Sequence, residues 1–384
     1  MSVTAAKGFR AAGVAAGLKS SGAADVALVV NDGPLSAAAG VFTRNRIKAA
    51  PVVWSQQCLT TGELRAVALN SGGANACTGP DGFADTHHAA EHVAELLGIG
   101  PIEVAVCSTG LIGERLPMTN LLSGFDACAG QLSVDGGPAA ARAIMTTDTV
   151  PKTAVARSAD GVIVGGMAKG AGMLAPGLAT MLSVITTDAV ADCELLDQVL
   201  RAATARTFDR VDSDGCMSTN DTVLLLASGA SGVTVDGSTL GEMVEQVAAA
   251  LARQLVADAE GASKDIRIDV VNAATELDAE LTGRAVAASN LFKCAVHGED
   301  PNWGRILSAL GTTAAAFEPD AVDVAVNGVW VCRDGATGED RSRVDMSGRD
   351  VVVTIDLRVG SESATIWTND LTAAYVHENS AYST

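Results

Sequence analysis

Apolar positions along this chain recur in two periods. Short runs suited to strands alternate with longer stripes spaced for helices, almost from end to end, which is the pattern of a mixed α/β protein. Residues 25–30 and 102–107 are predicted strands, the second alternating Ile102, Val104 and Val106 against Glu103, Ala105 and Cys107. Thr222–Ala227 (TVLLLA) is apolar almost throughout, as expected of a strand covered on both faces. Helical spacing predicts helices near 83–97, 119–130, 193–207, 239–260 and 275–292. The fourth is the best specified. Thr239 and Glu242 make a capping box, Leu240, Met243, Val247, Leu251 and Leu255 form one stripe, and Gly261 suits the left-handed position after the last turn. From about residue 320 strands dominate: VDVAV and VWVC flank Asn327-Gly328, a two-residue hairpin signal, and VTIDLRV (353–359) and ATIWT follow. The expectation is an α/β fold, sheets layered with helices, with a small β-rich C-terminal subdomain over about 275–384.

Composition narrows the function. The 384 residues carry 45 Asp and Glu against 26 Lys and Arg, a net charge of −19, and only 3% aromatics. That balance argues against a nucleic-acid partner, which needs cationic phosphate contacts and stacking platforms. A chain of this length buries roughly 75% of its unfolded surface, so no disulfide or metal staple is required. The eight cysteines stand singly with no C-x-x-C pair, and are expected to be mostly buried, reduced thiols of a cytoplasmic protein. The Ala/Gly-rich N-terminal stretch is bracketed by Lys7, Arg10 and Lys19, unlike a signal peptide, and no apolar run approaches the ~20 residues of a membrane span.

Several chemistries lack their signatures. There is no G-x-S-x-G, S-x-x-K, H-E-x-x-H or Walker A segment. Residues 170–175 (GAGMLA) fit a dinucleotide fingerprint, but Pro176 and Gly177 follow at once and no helix can open there. His88 and His92 lie at helical spacing beside His87 without a third ligand, and read as a solvated helix face.

The informative stretch is 165–188, GGMAKGAGMLAPGLATMLSVITTD, where five glycines and a proline surround Lys169 and run into a strand-like segment. The bland reading is a flexible loop entering a buried strand. The sharper one places a nucleophile at the Ala179–Thr180 junction. A threonine hydroxyl attacks poorly unless a base lies beside it, and a free α-amine on the same residue is one solution. Cutting the chain before Thr180 creates that amine, by an N→O shift onto the Ala179 carbonyl and hydrolysis of the resulting ester. An α-amine ordinarily titrates at about 7.7–8.0, so a useful fraction of it is neutral at cellular pH and can act as base.

KGAGMLAPGLATML resembles the self-cleavage segment of the bifunctional ornithine acetyltransferase (glutamate N-acetyltransferase) family of arginine biosynthesis. Matching segments run in order along the chain: GFRAAGVAAGLK (8–19), FTRN (42–45), NSGGANACTG (70–79), CSTGLIG (107–113), MTTDT…PK (145–152), STNDT (218–222), GEDPNWGR (298–305) and ENSAYST (378–384). The resemblance implies that Thr180 is both cleavage site and acyl-accepting nucleophile, that Thr109 and Gly110 form the oxyanion hole, and that Thr146, Lys169, Thr180, Glu260, Asn379 and Thr384 bind substrate. Each of the others has a plain alternative: Thr146 a turn cap, Lys169 a loop charge, Asn379 and Thr384 a frayed tail. Glu260 adds a hint of its own, since a carboxylate at the end of the 239–260 helix opposes the helix dipole and is better explained by a cationic ligand.

The family further implies a fold related to self-processing aminopeptidases and an α chain of 1–179 with a β chain of 180–384, two copies of each in a heterotetramer. It implies acetyl transfer from N2-acetylornithine to glutamate without metal or other cofactor, acetyl-CoA being a co-substrate only in bifunctional members. The rival within this architecture is a self-processing aminopeptidase or amidase that uses water as acceptor.

Overall fold

Residues 2–174 and 181–381 are described by the computed structural model, so Ala179, Thr180 and Thr384 lie outside the described residues. The chain divides into two units, residues 2–209 with 216–258, and residues 210–215 with 259–381.

In chain order the first unit comprises β1 (Phe9–Val14), β2 (Val26–Asn31), β3 (Ala38–Phe42), α1 (Ala50–Cys58), β4 (Ala66–Ser71), α2 (Gly79–Leu97), β5 (Val104–Thr109), α3 (Met118–Gln131) and α4 (Gly137–Ala143). It continues with β6 (Lys152–Arg157), β7 (Ile163–Lys169), β8 (Leu182–Thr187), α5 (Cys193–Arg206), β9 (Thr222–Ala227) and α6 (Gly237–Ala257). These strands make two sheets, ordered β1-β2-β4-β5 and β3-β9-β8-β7-β6. Leu28, Leu69 and Val106 of one sheet and Met167, Val184 and Leu224 of the other belong to one apolar cluster. Helices α3 and α4 cover the first sheet, and α5 and α6 the second. The strands β2, β4, β5, β7, β8 and β9 are buried along their whole lengths, because both faces are covered. Gly166 lets α6 approach: a Cβ there would lie 3.0 Å from a Val247 methyl.

Three sequence expectations are corrected here. The strand expected at 102–107 begins at Val104, because Pro101–Glu103 forms a single 3₁₀ turn in which the Glu103 carboxylate accepts the Gly100 N–H at 2.7 Å. Its two faces do not alternate in exposure, since Trp54 and Ser55 of α1 donate to the Val104 and Val106 carbonyls at 3.0 and 2.8 Å. The helix expected at 239–260 spans Gly237–Ala257. Asp236 caps it, accepting both the Thr239 N–H (2.9 Å) and the Thr239 hydroxyl (2.7 Å), so Thr239 is capped and does not cap. Gly261 does take a left-handed φ of +63°, but beyond the helix.

The second unit holds β10 (Asp265–Ala273), α7 (Glu276–Ala287), α8 (Asn290–His297), α9 (Trp303–Leu310), β11 (Asp323–Val326), β12 (Val329–Arg333), β13 (Ala336–Thr337), β14 (Asp350–Asp356), β15 (Glu362–Asn369) and α10 (Ala373–Ala381). Its sheet is ordered β13-β12-β11-β14-β10-β15, with α7 packed on β10 and β15. Asn327 and Gly328 turn the hairpin with φ of +46° and +81°, the positive pair that the sequence signal requires. The helix expected over 275–292 is two helices, because Ser289 leaves the helical path and accepts the Phe292 N–H to start α8.

Four cysteines (58, 107, 128, 332) are buried and burial pushes the first three thiols up to about 12. Cys193 is half-buried and Cys77, Cys216 and Cys294 are exposed, so four of the eight are buried where most were expected to be. His92 pairs with Asp126 at 2.8 Å, and His87 meets the Trp54 ring edge-on. No group of three metal-ligating side chains occurs among the described residues. No described helix is long and apolar enough to cross a membrane.

Candidate active site

Strand β5 ends at Thr109, and the chain turns at once through Gly110 with φ of +132°. A Cβ at Gly110 would lie 2.6 Å from the Gly73 nitrogen, so this turn requires glycine on both counts. The N–H groups of Gly72 and Gly73 both donate to the Thr109 carbonyl at 3.0 Å. Asn220 clamps the same turn, its amide donating to the Ser108 carbonyl at 2.8 Å and the Ala74 carbonyl at 2.6 Å. Asn70 accepts the Ser108 hydroxyl at 2.6 Å. The segments 70–76, 107–110 and 218–222, far apart in sequence, thus meet at one strand end. FTRN has a supporting part, because Thr43 and Asn45 donate to the Ser218 and Met217 carbonyls at 2.6 and 3.0 Å.

Lys169 ends β7 and is 2% exposed. It shares a strand face with Ile163 and Met167, which lie in the core common to both sheets, so its ammonium is directed toward β5. It donates to the Thr109 hydroxyl at 3.3 Å. An ammonium has no lone pair, so the threonine oxygen is the acceptor and its own hydrogen stays available to give. A buried cation against a hydroxyl, beside a left-handed glycine, is suited to stabilising a developing oxyanion.

Asp148 organises the cationic side. Its oxygens accept the Gly170 N–H (2.7 Å), the Lys152 ammonium (2.6 Å) and the Thr146 N–H (3.0 Å), and Oδ2 lies 4.0 Å from Lys169. Burial alone would push this carboxyl up. The charges of Lys169 and Lys152 and the Lys152 and Gly170 hydrogen bonds outweigh it and hold the pKa at about 2. Lys152 also pairs with Asp258 at 2.5 Å, and Asp258 accepts the Thr149 N–H at 3.0 Å. Lys19 donates to the Met145 carbonyl at 2.6 Å, and its own pKa is lowered mainly by burial, with the Lys169 charge adding to that. A chain of net charge −19 therefore concentrates three lysines around one strand end.

Asp148 stands in MTTDT, yet nothing in the sequence singles it out, because its partners reach as far as Gly170, 22 positions along the chain. Asp148→Asn is expected to cost about 3–5 kcal/mol at pH 7, the cost of breaking a buried ion pair. The sign of the pH dependence follows from the lowered pKa. The carboxylate's contribution is fully present above its unfolded value near 3.9 and is lost as pH falls through about 2. Denaturant melts at pH 7 and pH 2 check this: the wild-type advantage over the Asn variant should shrink in acid by roughly 2–3 kcal/mol. A pH-independent difference would assign the effect to shape.

In the second unit Glu260 is 9% exposed and its Oε2 accepts the Asn379 amide at 3.0 Å. Both belong to the residues the resemblance marks for substrate. The dipole hint for Glu260 is overturned, because α6 ends at Ala257 and Glu260 lies in the turn beyond. Asp258 is the carboxylate at that helix end, and Lys152 offsets it. Thr146 presents its N–H to Asp148. Ala179, Thr180 and Thr384 lie outside the described residues.

Fold and site together define a layered α/β protein in which a strand-end Thr–Gly turn faces a buried lysine. A family model described as the ArgJ family matches residues 10–384. The arginine biosynthesis bifunctional protein ArgJ of Streptomyces coelicolor is 68% identical over 383 residues, covering 100% of each chain. That of Thermobifida fusca is 62% identical over 384 residues, again with 100% of each chain covered. Among solved structures, the Bacillus halodurans ArgJ protein is 30% identical with a TM-score of 0.50, covering 52% of this chain and 98% of that one. An ornithine acetyltransferase from Mycobacterium tuberculosis, solved with ornithine, is 63% identical with a TM-score of 0.45, covering 47% and 96%. The chain belongs to the ArgJ family. It is an acetyl-transferring enzyme of arginine biosynthesis, of the ornithine acetyltransferase and glutamate N-acetyltransferase kind.

Proposed function

We propose that this chain cuts itself at Ala179–Thr180 and then moves acetyl from N2-acetylornithine to glutamate by a ping-pong route through acetyl-Thr180. The observation that carries the reading is the Lys169–Thr109 hydrogen bond beside Gly110, which leaves the Thr109 hydroxyl hydrogen available to an oxyanion. Thr180 Oγ attacks the acetyl carbonyl, Thr109 and Gly110 receive the negative charge, and ornithine leaves with the proton that the α-amine of Thr180 took up. Glutamate attacks the ester, and its amine proton returns the same way. Self-cleavage would give an α chain of 1–179 and a β chain of 180–384, the latter ending in an α/β subdomain over about 275–384. Two of each chain would form a cytoplasmic heterotetramer. Supporting the cut, the Bacillus halodurans ArgJ structure is matched over 98% of its own chain while covering only 52% of this one. Denatured mass measurement with N2-acetylornithine tests the whole scheme, since it reads both fragments and an acetylated 180–384 fragment. An intact, unmodified chain refutes it. An ester discharged equally fast without glutamate would favour a hydrolase.

Thr146, Lys169, Glu260, Asn379 and Thr384 complete the substrate contacts in this reading. Glu260 is assigned to the side-chain ammonium of ornithine, Lys169 to substrate carboxylate. Glu260→Gln keeps the shape and the acceptor for Asn379 and removes only the charge. A hydrogen bond to a charged group is worth ~1.5–3 kcal/mol, so acyl-enzyme formation should slow about 10- to 150-fold in kcat/KM while discharge by glutamate is spared. Single-turnover measurements of the two halves check this. Equal losses in both would show that Glu260 does not read the ornithine charge.

A further inference from the structure

Asn220 lies just before β9 and is 5% exposed. Its own loop engages three of its polar groups. The N–H donates to the Ser218 hydroxyl at 3.0 Å, the carbonyl accepts the Thr222 hydroxyl at 3.0 Å, and Oδ1 accepts the Thr219 hydroxyl at 2.6 Å. The two amide hydrogens are left for the Ala74 and Ser108 carbonyls, at 2.6 and 2.8 Å. The loop therefore holds this side chain in one orientation, with its donor end turned outward. The two carbonyls it reaches belong to a different sheet. β9 lies in the five-stranded sheet with β7, whereas Ala74 follows β4, and Ser108 lies in β5, of the four-stranded one.

Lys169, at the end of β7, crosses between the same two sheets to the Thr109 hydroxyl at 3.3 Å. The 108–110 turn is thus tied to the five-stranded sheet at two neighbouring points. Asn220 holds the main chain just before Thr109, and Lys169 meets the Thr109 side chain. The peptide on the other side of Thr109 is fixed from within its own sheet, since the Thr109 carbonyl accepts the Gly72 and Gly73 N–H groups at 3.0 Å. We infer that Asn220 is a positioning residue of the reaction: by anchoring the Ser108 carbonyl it sets the Thr109 hydroxyl against the Lys169 ammonium, and so aims that hydroxyl's hydrogen. This rests on the assignment of Thr109 and Gly110 to the developing negative charge. The 3.3 Å contact is already near the long limit of a hydrogen bond, so a small outward shift of the turn breaks it. The Gly110 N–H is less dependent on Asn220, because the peptide it belongs to is the one that Gly72 and Gly73 hold.

The test is a double-variant cycle on the full-length enzyme, reading kcat and KM for acetyl transfer from N2-acetylornithine to glutamate, with kcat counted per acyl-accepting site. Asn220→Ala is expected to lower kcat about 10- to 100-fold, the range for a group misplaced by up to ~1 Å, with KM within a few-fold of wild type. Asn220→Ser keeps one short donor and should fall between alanine and wild type. In a Thr109→Ala background the Asn220→Ala change should cost less than about threefold more, because the group it positions is already gone. A residue that only stabilises the fold would instead multiply its loss into both backgrounds. Wild-type kcat in Asn220→Ala, or losses that multiply in the double variant, overturns the positioning role. If the alanine variant does not fold, the serine variant goes through the same cycle and decides. If neither folds, Asn220 is a folding residue and the inference falls. Wild-type kcat in Thr109→Ala alone overturns the oxyanion assignment instead, whatever the Asn220 variants show.

Discussion

Thr180→Ala is expected to leave one intact 384-residue chain with no acetyl transfer. The hydroxyl enters twice in the proposed scheme, first in the N→O shift that cuts the chain and then as the acyl carrier. Removing it abolishes both steps, and no neighbouring group supplies a second oxygen on the same residue. The α-amine that serves as base is also never released, so the loss compounds. Thr180→Ser keeps the oxygen and gives up only a methyl group. It should still process, more slowly, because a β-branched side chain is stiffer about χ1 and holds its hydroxyl in fewer rotamers. A denaturing gel and a coupled assay for ornithine release check both variants. Two fragments from the alanine variant would remove Thr180 from the mechanism, and an uncut serine variant would mean that the methyl group is needed for placement.

What was legible in the sequence follows from the range of the interactions. Thr222–Ala227 is a strand within the limits its apolar run predicts, since burial on both faces is written in consecutive residues. The Asn327-Gly328 hairpin was likewise legible, because the turn chemistry is local. Helix ends were less so. Asp236 competes with Thr239 for the cap and wins, because a carboxylate accepts from both the N–H and the hydroxyl of Thr239. The split at Ser289 was hidden, since apolar spacing continues through it and only a cap marks the break.

The site divides in the same way. A threonine after a Gly-rich segment was visible as a candidate nucleophile, and the matched motifs supplied Thr109, Gly110 and the other residues as candidates. Asp148 and Asp221 carried no such signal. Asp148 matters because Lys169 and Gly170, over twenty positions on, return to it across β6 and β7, and a pairing of that kind has no local pattern. Asp221 stands in STNDT, where a polar run reads as a loop; its complete burial is revealed only by the packed sheet. The two histidines at helical spacing show the converse. They formed a pattern without a site, because carboxylate and aromatic neighbours engage this histidine cluster in packing.

Thr109→Ala should lower kcat by roughly 10²–10³, the usual cost of one preorganised donor to an oxyanion, with KM within a few-fold of wild type. The split between the two constants comes from geometry. The Thr109 hydroxyl accepts from Lys169 at 3.3 Å, so its hydrogen is directed away from the lysine, and a donor aimed at charge that exists only in the transition state does little for ground-state binding. The turn itself should survive, because Gly72, Gly73 and Asn220 hold it through main-chain carbonyls that the substitution leaves in place. Lys169 loses a neutral partner and keeps Asp148, so the stability loss should stay near the ~1–3 kcal/mol of one unmade buried hydrogen bond. Thr109→Ser retains the hydroxyl and should recover kcat to within about tenfold, which separates loss of the donor from loss of packing. Self-cleavage passes through a similar oxyanion, so the alanine variant should also mature slowly, and kcat must be measured per acylatable Thr180 after maturation is complete. An unchanged kcat on that basis would make Thr109 ordinary turn structure and leave Gly110 and Lys169 as the groups that meet the charge.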